Sequence, residues 1–380
     1  MVKVWDFLFY PDYYGLVQAM YDIPEYVRTE PIHPDGWLAE VRTYCELNWK
    51  DIQIICILAV VWSIFRELLI RCIFVPLSNY AQLTEANVKK MPESAWRATF
   101  YIISWSFIAY VIVGSHFELF TDPPSVFKGW APGMKVPSDI YAAYAIQGSF
   151  YLHCMFATIF LDVWRSDSAL LCCHHVLTLS LIGFSYAARY HNIGILVIFC
   201  HDVNDICLEC AKVFIYLKVR AGKFYPVCEF MANIFFSLFA LGWLMCRMYW
   251  FPLKVLYSIL PSTAKVYYQD HLPFGIEFNV LLWLLMAMDV YWFSLILVFL
   301  FKIIIGDTKE MDDPREETDE SSLKVGIDRK RLSVNGHEEE TIPVQNSNGV
   351  LTPGKAMNGD GVKHRQPHQQ NNSHEVPNHN

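Results

Sequence analysis

The chain has 380 residues, a formal net charge of −8 and 54% hydrophobic residues, with a mean hydropathy of +0.24. Every Phe, Tyr and Trp lies in the first 305 positions and none in the last 75, which sets aside a single soluble domain and describes an all-α integral membrane body with a solvated tail. Much of the acidic excess falls outside the apolar runs, so its sign identifies no partner.

The first residues, "MVKVWDFLFYPDYYG", lack a sustained apolar core and a small-residue cleavage site, so no cleaved leader is expected. Residues 1–50 then precede the first anchor. Seven runs approach the roughly 20 apolar residues that cross a bilayer core: about 51–74, 97–115, 138–161, 169–188, 191–216, 225–250 and 276–305. None is purely apolar. Arg66, Glu67 and Arg71 fall in the first, and Asp202, Asp205 and Glu209 in the fifth, which argues for helices that face one another. The loop at 116–137 is rich in Pro and Gly and should be irregular. The piece 251–263 is too short to span and should be re-entrant or interfacial.

Lys89, Lys90, Arg97, Arg165, Lys218, Arg220 and Lys223 occupy the short loops after spans one, three and five, and Lys302 and Lys309 flank the last span. The cation bias places those loops and the C-terminus in the cytosol and the N-terminus on the opposite side. After Gly306, "DTKEMDDPREETDESS" and a stretch rich in Asn, Gln, His and Pro predict a disordered tail over 307–380, with Ser321 and Ser322 as phosphorylation candidates. Most cysteines sit in apolar runs as small hydrophobes. "CLEC" at 207–210 has a redox spacing but lies within a helical run, without the strand-to-helix turn such chemistry uses.

The polar residues inside the spans carry the functional argument. "LLCCHHVLTLSLIGF" puts His174 and His175 in an apolar run. Adjacent helical residues point about 100° apart, so one can line a cavity while the other meets a neighbouring helix. In "FCHDVNDICLECAK", Asp202, Asp205 and Glu209 follow an i, i+3, i+7 pattern along one helical face. His153 lies nine residues before the end of its span and His174 six into the next, which gives them similar depths. A pocket of His153, His174, His175, Asp202 and Asp205 is therefore reasonable, although a lone membrane histidine such as His153 serves equally well as a structural hydrogen-bonding group. Asp162 and Arg165 in "LDVWRSD" read as a helix-end pair. An imidazole can act as general base or as acyl-accepting nucleophile, and a carboxylate can orient it or hold an ammonium group. Membrane di-iron oxidases use several histidine boxes; here "HH" stands alone, so no metal is expected.

The run 174–212, "HHVLTLSLIGFSYAARYHNIGILVIFCHDVNDICLECAK", resembles the Lag1 motif of ceramide synthases within the TLC (TRAM–Lag1–CLN8) domain. "KMPESAW", "DPPSVF", "QGSFY", "DVWRSD" and "YWFPLKVLY" follow the family order, and the likeness covers roughly 50–306. "RYHNIGILVIF" and "RMYWFPLKVLY" look most like the stearoyl-preferring, type-one branch. The loop between the first two spans is too short for the homeobox-like insert of other branches, so nothing supports nucleic-acid binding.

The resemblance implies a first transmembrane helix at 51–74 and a TLC domain at 92–306. The last six of about seven spans would form a helical barrel around a central cavity. It implies N-acylation of a sphingoid base by fatty acyl-CoA, with acyl-CoA as co-substrate and no cofactor. His174 and His175 match the family's catalytic pair, and Asp202 and Asp205 its motif acids. His153 becomes a pocket residue, and Arg165, Lys218, Arg220 and Lys223 become attractors for polyanionic coenzyme A. Residence in the endoplasmic reticulum membrane, a lumenal N-terminus, and a homodimer or a heterodimer with other ceramide synthases also follow from the family. Two competing readings are a seven-span receptor, against which there is no D-R-Y after span three and no N-P-x-x-Y in span seven, and a non-catalytic TLC-domain lipid sensor, carrier or chaperone.

Overall fold

Proline, capping side chains and buried charge decide where the helices of this chain begin, bend and meet. In the computed structural model, residues 12–29, 32–114, 121–162, 164, 167–267 and 272–305 are described. Arg165 and the whole stretch 307–380 therefore lie outside the described residues, as do Ser321 and Ser322. Three short helices come first: α1 (Tyr13–Tyr21), α2 (Ile23–Thr29) and α3 (Trp37–Tyr44). The Asp12 carboxylate caps α1 by accepting from the Gly15 amide at 2.8 Å. Asn48 caps the next helix through the Lys50 amide at 3.0 Å.

The long helices are α4 (Trp49–Tyr80), α5 (Glu85–Gly114), α6 (Ser138–Phe160), α7 (Ser168–Ala187), α8 (His191–Leu217), α9 (Pro226–Ile259) and α10 (Gly275–Ile304). Among the described residues, five of these are long and apolar enough to cross a membrane: α4, α5, α7, α9 and α10. The other two reach about 34 and 40 Å at 1.5 Å per residue. Polar side chains lower their hydropathy, above all Asp202, Asp205, Glu209 and Lys212 on α8. Neighbours pack in the order α6, α7, α10, α9, α8, α5 and back to α6, while α4 lies against α6.

Two boundaries differ from the sequence expectation. Helix α5 starts at Glu85 rather than near 97, because "EANVKKMPESAW" is itself helical and extends the span with a polar overhang. The piece 251–263 is no separate re-entrant segment. Helix α9 runs on to Ile259, and Phe251, Leu253, Val255 and Leu256 are fully buried. Pro252 should have broken it. The helix instead widens to π geometry over Trp243–Leu256, the local solution for a missing donor. The Met248 carbonyl, four residues before Pro252, accepts from the Tyr13 hydroxyl of α1. The loop at 116–137, irregular in expectation, contains a 3₁₀ turn at Pro123–Phe127.

After α8, strands β1 (Val219–Arg220) and β2 (Lys223–Phe224) form a minimal antiparallel hairpin. Ala221 and Gly222 both take positive φ, 51° and 69°, as a two-residue type I′ turn requires. The Ala221 amide donates to the Gln82 carbonyl at 3.0 Å, which ties the hairpin to the α4–α5 connection.

At the other end of the bundle, His33 joins α3 to α10. Its Nδ1 lies 2.9 Å from Glu40 and its Nε2 2.8 Å from Glu277, with Phe274 packed beside the ring. Burial lowers the affinity of this imidazole for its proton, but the hydrogen bonds and charges of the two carboxylates outweigh it and raise the pKa above the ordinary histidine value. A group raised in this way stabilises the fold fully below its unfolded pKa of about 6.5 and ceases to do so as pH rises through the folded value. The melting temperature of detergent-solubilised wild type should exceed that of His33→Gln most at mildly acidic pH. The gap should narrow as the medium becomes alkaline; a gap that widens would contradict this assignment.

Candidate active site

Helix α7 presents the two imidazoles. Their ring centroids are 5.8 Å apart with planes at 51°. Both Nδ1 atoms are buried and have no hydrogen-bond partner among the described residues. Tyr151 of α6 packs edge-on against both, at 6.4 Å from His174 and 5.9 Å from His175. Trp292 of α10 meets His174 at 5.2 Å in a T-shaped contact. These aromatic edges settle the orientation of rings that no hydrogen bond holds.

His174 and Tyr151 line a partly open pocket of about 40 Å³. Its walls are mostly apolar: Leu181, Ile182, Val197, Ile198, Leu282 and Leu285. It extends from His174 along α7 to Ser185, and along α8 from His201 back to Ile193, to Phe278 near the start of α10. Eight residues of α8 correspond to about 12 Å of axial length. Gly194 belongs to this wall because there is no room for a side chain. An added Cβ would stand 1.8 Å from the Tyr144 hydroxyl, which itself contacts Ser185 Oγ at 3.0 Å. Buried Phe274 and Phe278 pack against Phe184 at the far end.

The acids of α8 take different neighbours. Asp202 is fully buried, accepts from Gln147 Nε2 at 2.5 Å, and keeps Oδ1 without a partner. Asp205 instead faces Arg247 of α9, with Nη2 at 3.4 and 3.5 Å from its two oxygens. Arg247 also donates to Asp289 of α10 at 3.1 Å and to the His201 carbonyl at 3.0 Å, and lies over the Trp243 ring at 3.9 Å. His201 Nε2 is 3.0 Å from Asp289, and its Nδ1 is 2.8 Å from the Val197 carbonyl. Both ring nitrogens of His201 thus face acceptors, so the ring offers no free group to the cavity it lines. Half-buried Asp205 and buried Arg247, Asp289 and His201 form one hydrogen-bonded network.

The structure brings His174 and His175 to Tyr151, sets Asp202 against Gln147, and carries Asp205 into the arginine network. His153 points elsewhere. It shares a 2.8 Å contact with Ser63 of α4 and packs near Trp96 and Phe150. Lys218, Arg220 and Lys223 lie on or beside the hairpin, about 24 Å along the α8 axis from Asp202 at 1.5 Å per residue. Arg220 stacks on Tyr225 at 4.1 Å, while Lys223 is exposed. Asp162 pairs with Arg66 at 2.9 Å and Arg97 at 3.0 Å, while its expected partner Arg165 lies outside the described residues; Arg66 also holds Glu93 at 2.7 Å. The cations there are matched by carboxylates and fasten α4, α5 and α6 together. Motif spacing passes over Arg247 and Asp289. A single charge within "LMCRMYW" and another within "LLMAMDVYWF" are the sequence signal for them, since an intramembrane charge demands a partner.

Comparison with known proteins gives four matches. A family model described as the TLC domain matches residues 90–298. Ceramide synthase 1 of Homo sapiens is 44% identical over 302 residues, covering 78% of this chain and 86% of the relative. The Mus musculus protein of the same name is 43% identical over 284 residues, 74% and 81% of the two chains, and ceramide synthase hyl-2 of Caenorhabditis elegans is 28% identical over 282 residues, 68% and 81%.

Proposed function

The chain belongs to the TLC-domain family, and we propose that it is a ceramide synthase, an acyl-CoA-dependent sphingoid-base N-acyltransferase. It transfers a long-chain acyl group, stearoyl by preference, to the amine of sphinganine or sphingosine. The observation that carries this reading is an imidazole with an open nitrogen at the wall of an apolar cavity, together with the buried, open carboxylate oxygen of Asp202 held beside Gln147. A carrier needs the cavity; it gains nothing from unpartnered polar atoms buried beside it, each costing about 1–3 kcal/mol.

In the reaction, the C–N bond forms as the thioester C–S bond breaks. Of the two protons lost by the ammonium, one ends on the coenzyme A sulfur and one in water. His174 serves as base or as acyl-accepting nucleophile, and His175 supports it. Asp202 holds the ammonium through its open oxygen. Asp205, already paired with Arg247, acts by keeping α8 in place. Removing water from the cavity protects the thioester from hydrolysis. Imidazole and carboxylate supply the proton transfers, so no cofactor is invoked.

All seven long helices cross the endoplasmic reticulum membrane in this reading, with α1–α3 lumenal and the C-terminus cytosolic. The hairpin cations Lys218, Arg220 and Lys223, together with Arg165, then face the cytosol. The pantetheine arm of coenzyme A bridges the distance from its phosphates to the imidazole pair. His153 supports the α4–α6 contact and borders the site from behind.

Membranes containing the protein, given sphinganine and stearoyl-CoA, should form the N-acyl product; absence of product would favour the carrier. Phe278 closes the cavity end and should set acyl length. Phe278→Ala should move the best acyl-CoA toward longer chains and Phe278→Trp toward shorter ones. A panel of acyl-CoAs reads both, and an unchanged optimum in the pair would reject Phe278 as the stop.

A further inference from the structure

Acyl transfer puts negative charge on the thioester carbonyl oxygen, which calls for a hydrogen-bond donor; the roles of His174, His175 and Asp202 supply none. Thr178 stands four residues after His174 on α7, so the two share a face of the helix. Both line the pocket. The Thr178 Oγ1 is buried and has no hydrogen-bond partner among the described residues. A serine or threonine within a helix ordinarily turns its hydroxyl back to a carbonyl three or four residues earlier. Ser180 and Ser185 of α7 do so, to Val176 at 2.8 Å and to Ile182 at 3.1 Å. Thr99 of α5 does the same to Ala95 at 2.8 Å. Tyr144, another hydroxyl of the pocket wall, is engaged by Ser185 and the His191 carbonyl. The Thr178 hydroxyl departs from this habit and keeps its proton uncommitted, one turn from the imidazole.

We propose that Thr178 is a further catalytic residue: its hydroxyl donates a hydrogen bond to the acyl carbonyl oxygen while the carbonyl carbon is attacked beside His174. This rests on the reading that His174 performs the chemistry. Side chains at i and i+4 stand about 5–6 Å apart at Cβ. A carbonyl about 1.2 Å long, with contacts of about 3 Å at each end, bridges two such side chains. As the nucleophile, imidazole or amine, bonds to the carbonyl carbon, a C=O electron pair moves onto oxygen. The Thr178 proton stays on Oγ1 and stabilises that charge. The pair returns as the C–S bond breaks and its electrons leave on sulfur, which takes up one of the protons lost by the amine. On the imidazole route the same donor serves again when the amine displaces the imidazole. The hydrogen bond strengthens as the charge builds, so it acts on kcat and not on substrate affinity.

The test is steady-state kinetics of the full chain in membranes with sphinganine and stearoyl-CoA. Wild type, Thr178→Val, Thr178→Ser and His174→Ala are compared, normalised to folded protein by detergent-solubilised melting. Thr178→Val keeps the branched shape and removes the hydroxyl. It should lower kcat about 10²- to 10³-fold, the usual loss of one oxyanion donor, with both KM values held. Thr178→Ser, which keeps the hydroxyl, should retain most of the activity. A stearyl-CoA thioether, which has no carbonyl, should bind wild type and Thr178→Val equally. Wild-type kcat in Thr178→Val beside an inactive His174→Ala would overturn the proposal and leave the site reading standing. Equal losses in Thr178→Val and Thr178→Ser, a loss carried by KM alone, or weaker thioether binding would also overturn it, since each marks a packing role. So would a loss that disappears on normalisation. Full activity in His174→Ala would remove the site reading and the proposal together.

Discussion

Replacing His174 by alanine should reduce N-acylation about 10²- to 10⁴-fold, the usual contribution of a positioned acid–base group, while the protein still accumulates in membranes. The two halves of that expectation have separate physical grounds. His174 lines the cavity, so the reacting carbonyl can reach it, and its Nδ1 is committed to no other group. For the same reason its loss breaks no hydrogen bond among the described residues; ring contacts with Tyr151, His175 and Trp292 disappear. His175→Ala should be less damaging to chemistry, because His175 does not line the cavity. Product formation from sphinganine and stearoyl-CoA, with protein amount measured on the same membranes, checks both. Retained turnover in His174→Ala would move the chemistry to another residue.

Arg247→Met should do the reverse and destabilise the fold by about 3–5 kcal/mol, the cost of breaking a buried ion network by removing one partner. Arg247 is 4% exposed and Asp289 is fully buried, so water cannot take over the contact between them. The substitution strips the counter-charge from Asp205 and Asp289 and frees the His201 carbonyl. Helices α8, α9 and α10 meet at this point, so the loss is felt by the whole bundle. A second change that removes the stranded carboxylate, Asp289→Leu, should restore part of the melting temperature in the double variant, because the two sites share one interaction. An unchanged melting temperature in Arg247→Met would show that the network contributes nothing to stability.

The helices were largely legible from apolar runs, because a bilayer leaves the backbone few alternatives to a spanning helix. The site was legible as residue types and only partly as partners. Asp202 and Asp205 stand three apart, which was read as one face. Three residues turn a helix by 300°, so the two directions still differ by about 60°. That angle is enough to send one acid to Gln147 on α6 and the other to Arg247 on α9. His153 and Tyr151 show the same geometry. They are two apart, about 200° around the helix, so when Tyr151 faces the imidazole pair, His153 must face α4. Azimuth was not readable from residue counting, since it depends on which helices become neighbours. The end of α9 differed for another reason. Residues 251–263 were read as too short to span on their own, and only the packed structure shows a π-widened helix that carries Pro252 on to Ile259, with a hydroxyl from α1 on the Met248 carbonyl.

Photolabelling locates the acyl chain directly. Stearoyl-CoA carrying a diazirine at the end of its alkyl chain would be bound to the full protein in membranes, irradiated, and the labelled peptides identified by mass spectrometry. If the chain runs from the imidazole pair down the apolar cavity, the label falls on Ile193, Gly194, Phe278 or Leu282, and excess unlabelled stearoyl-CoA removes it. Label confined to exposed positions such as Tyr110, Val113 or Ile304, and indifferent to competitor, would mean that the cavity holds no acyl chain and that His174 does not meet the thioester there.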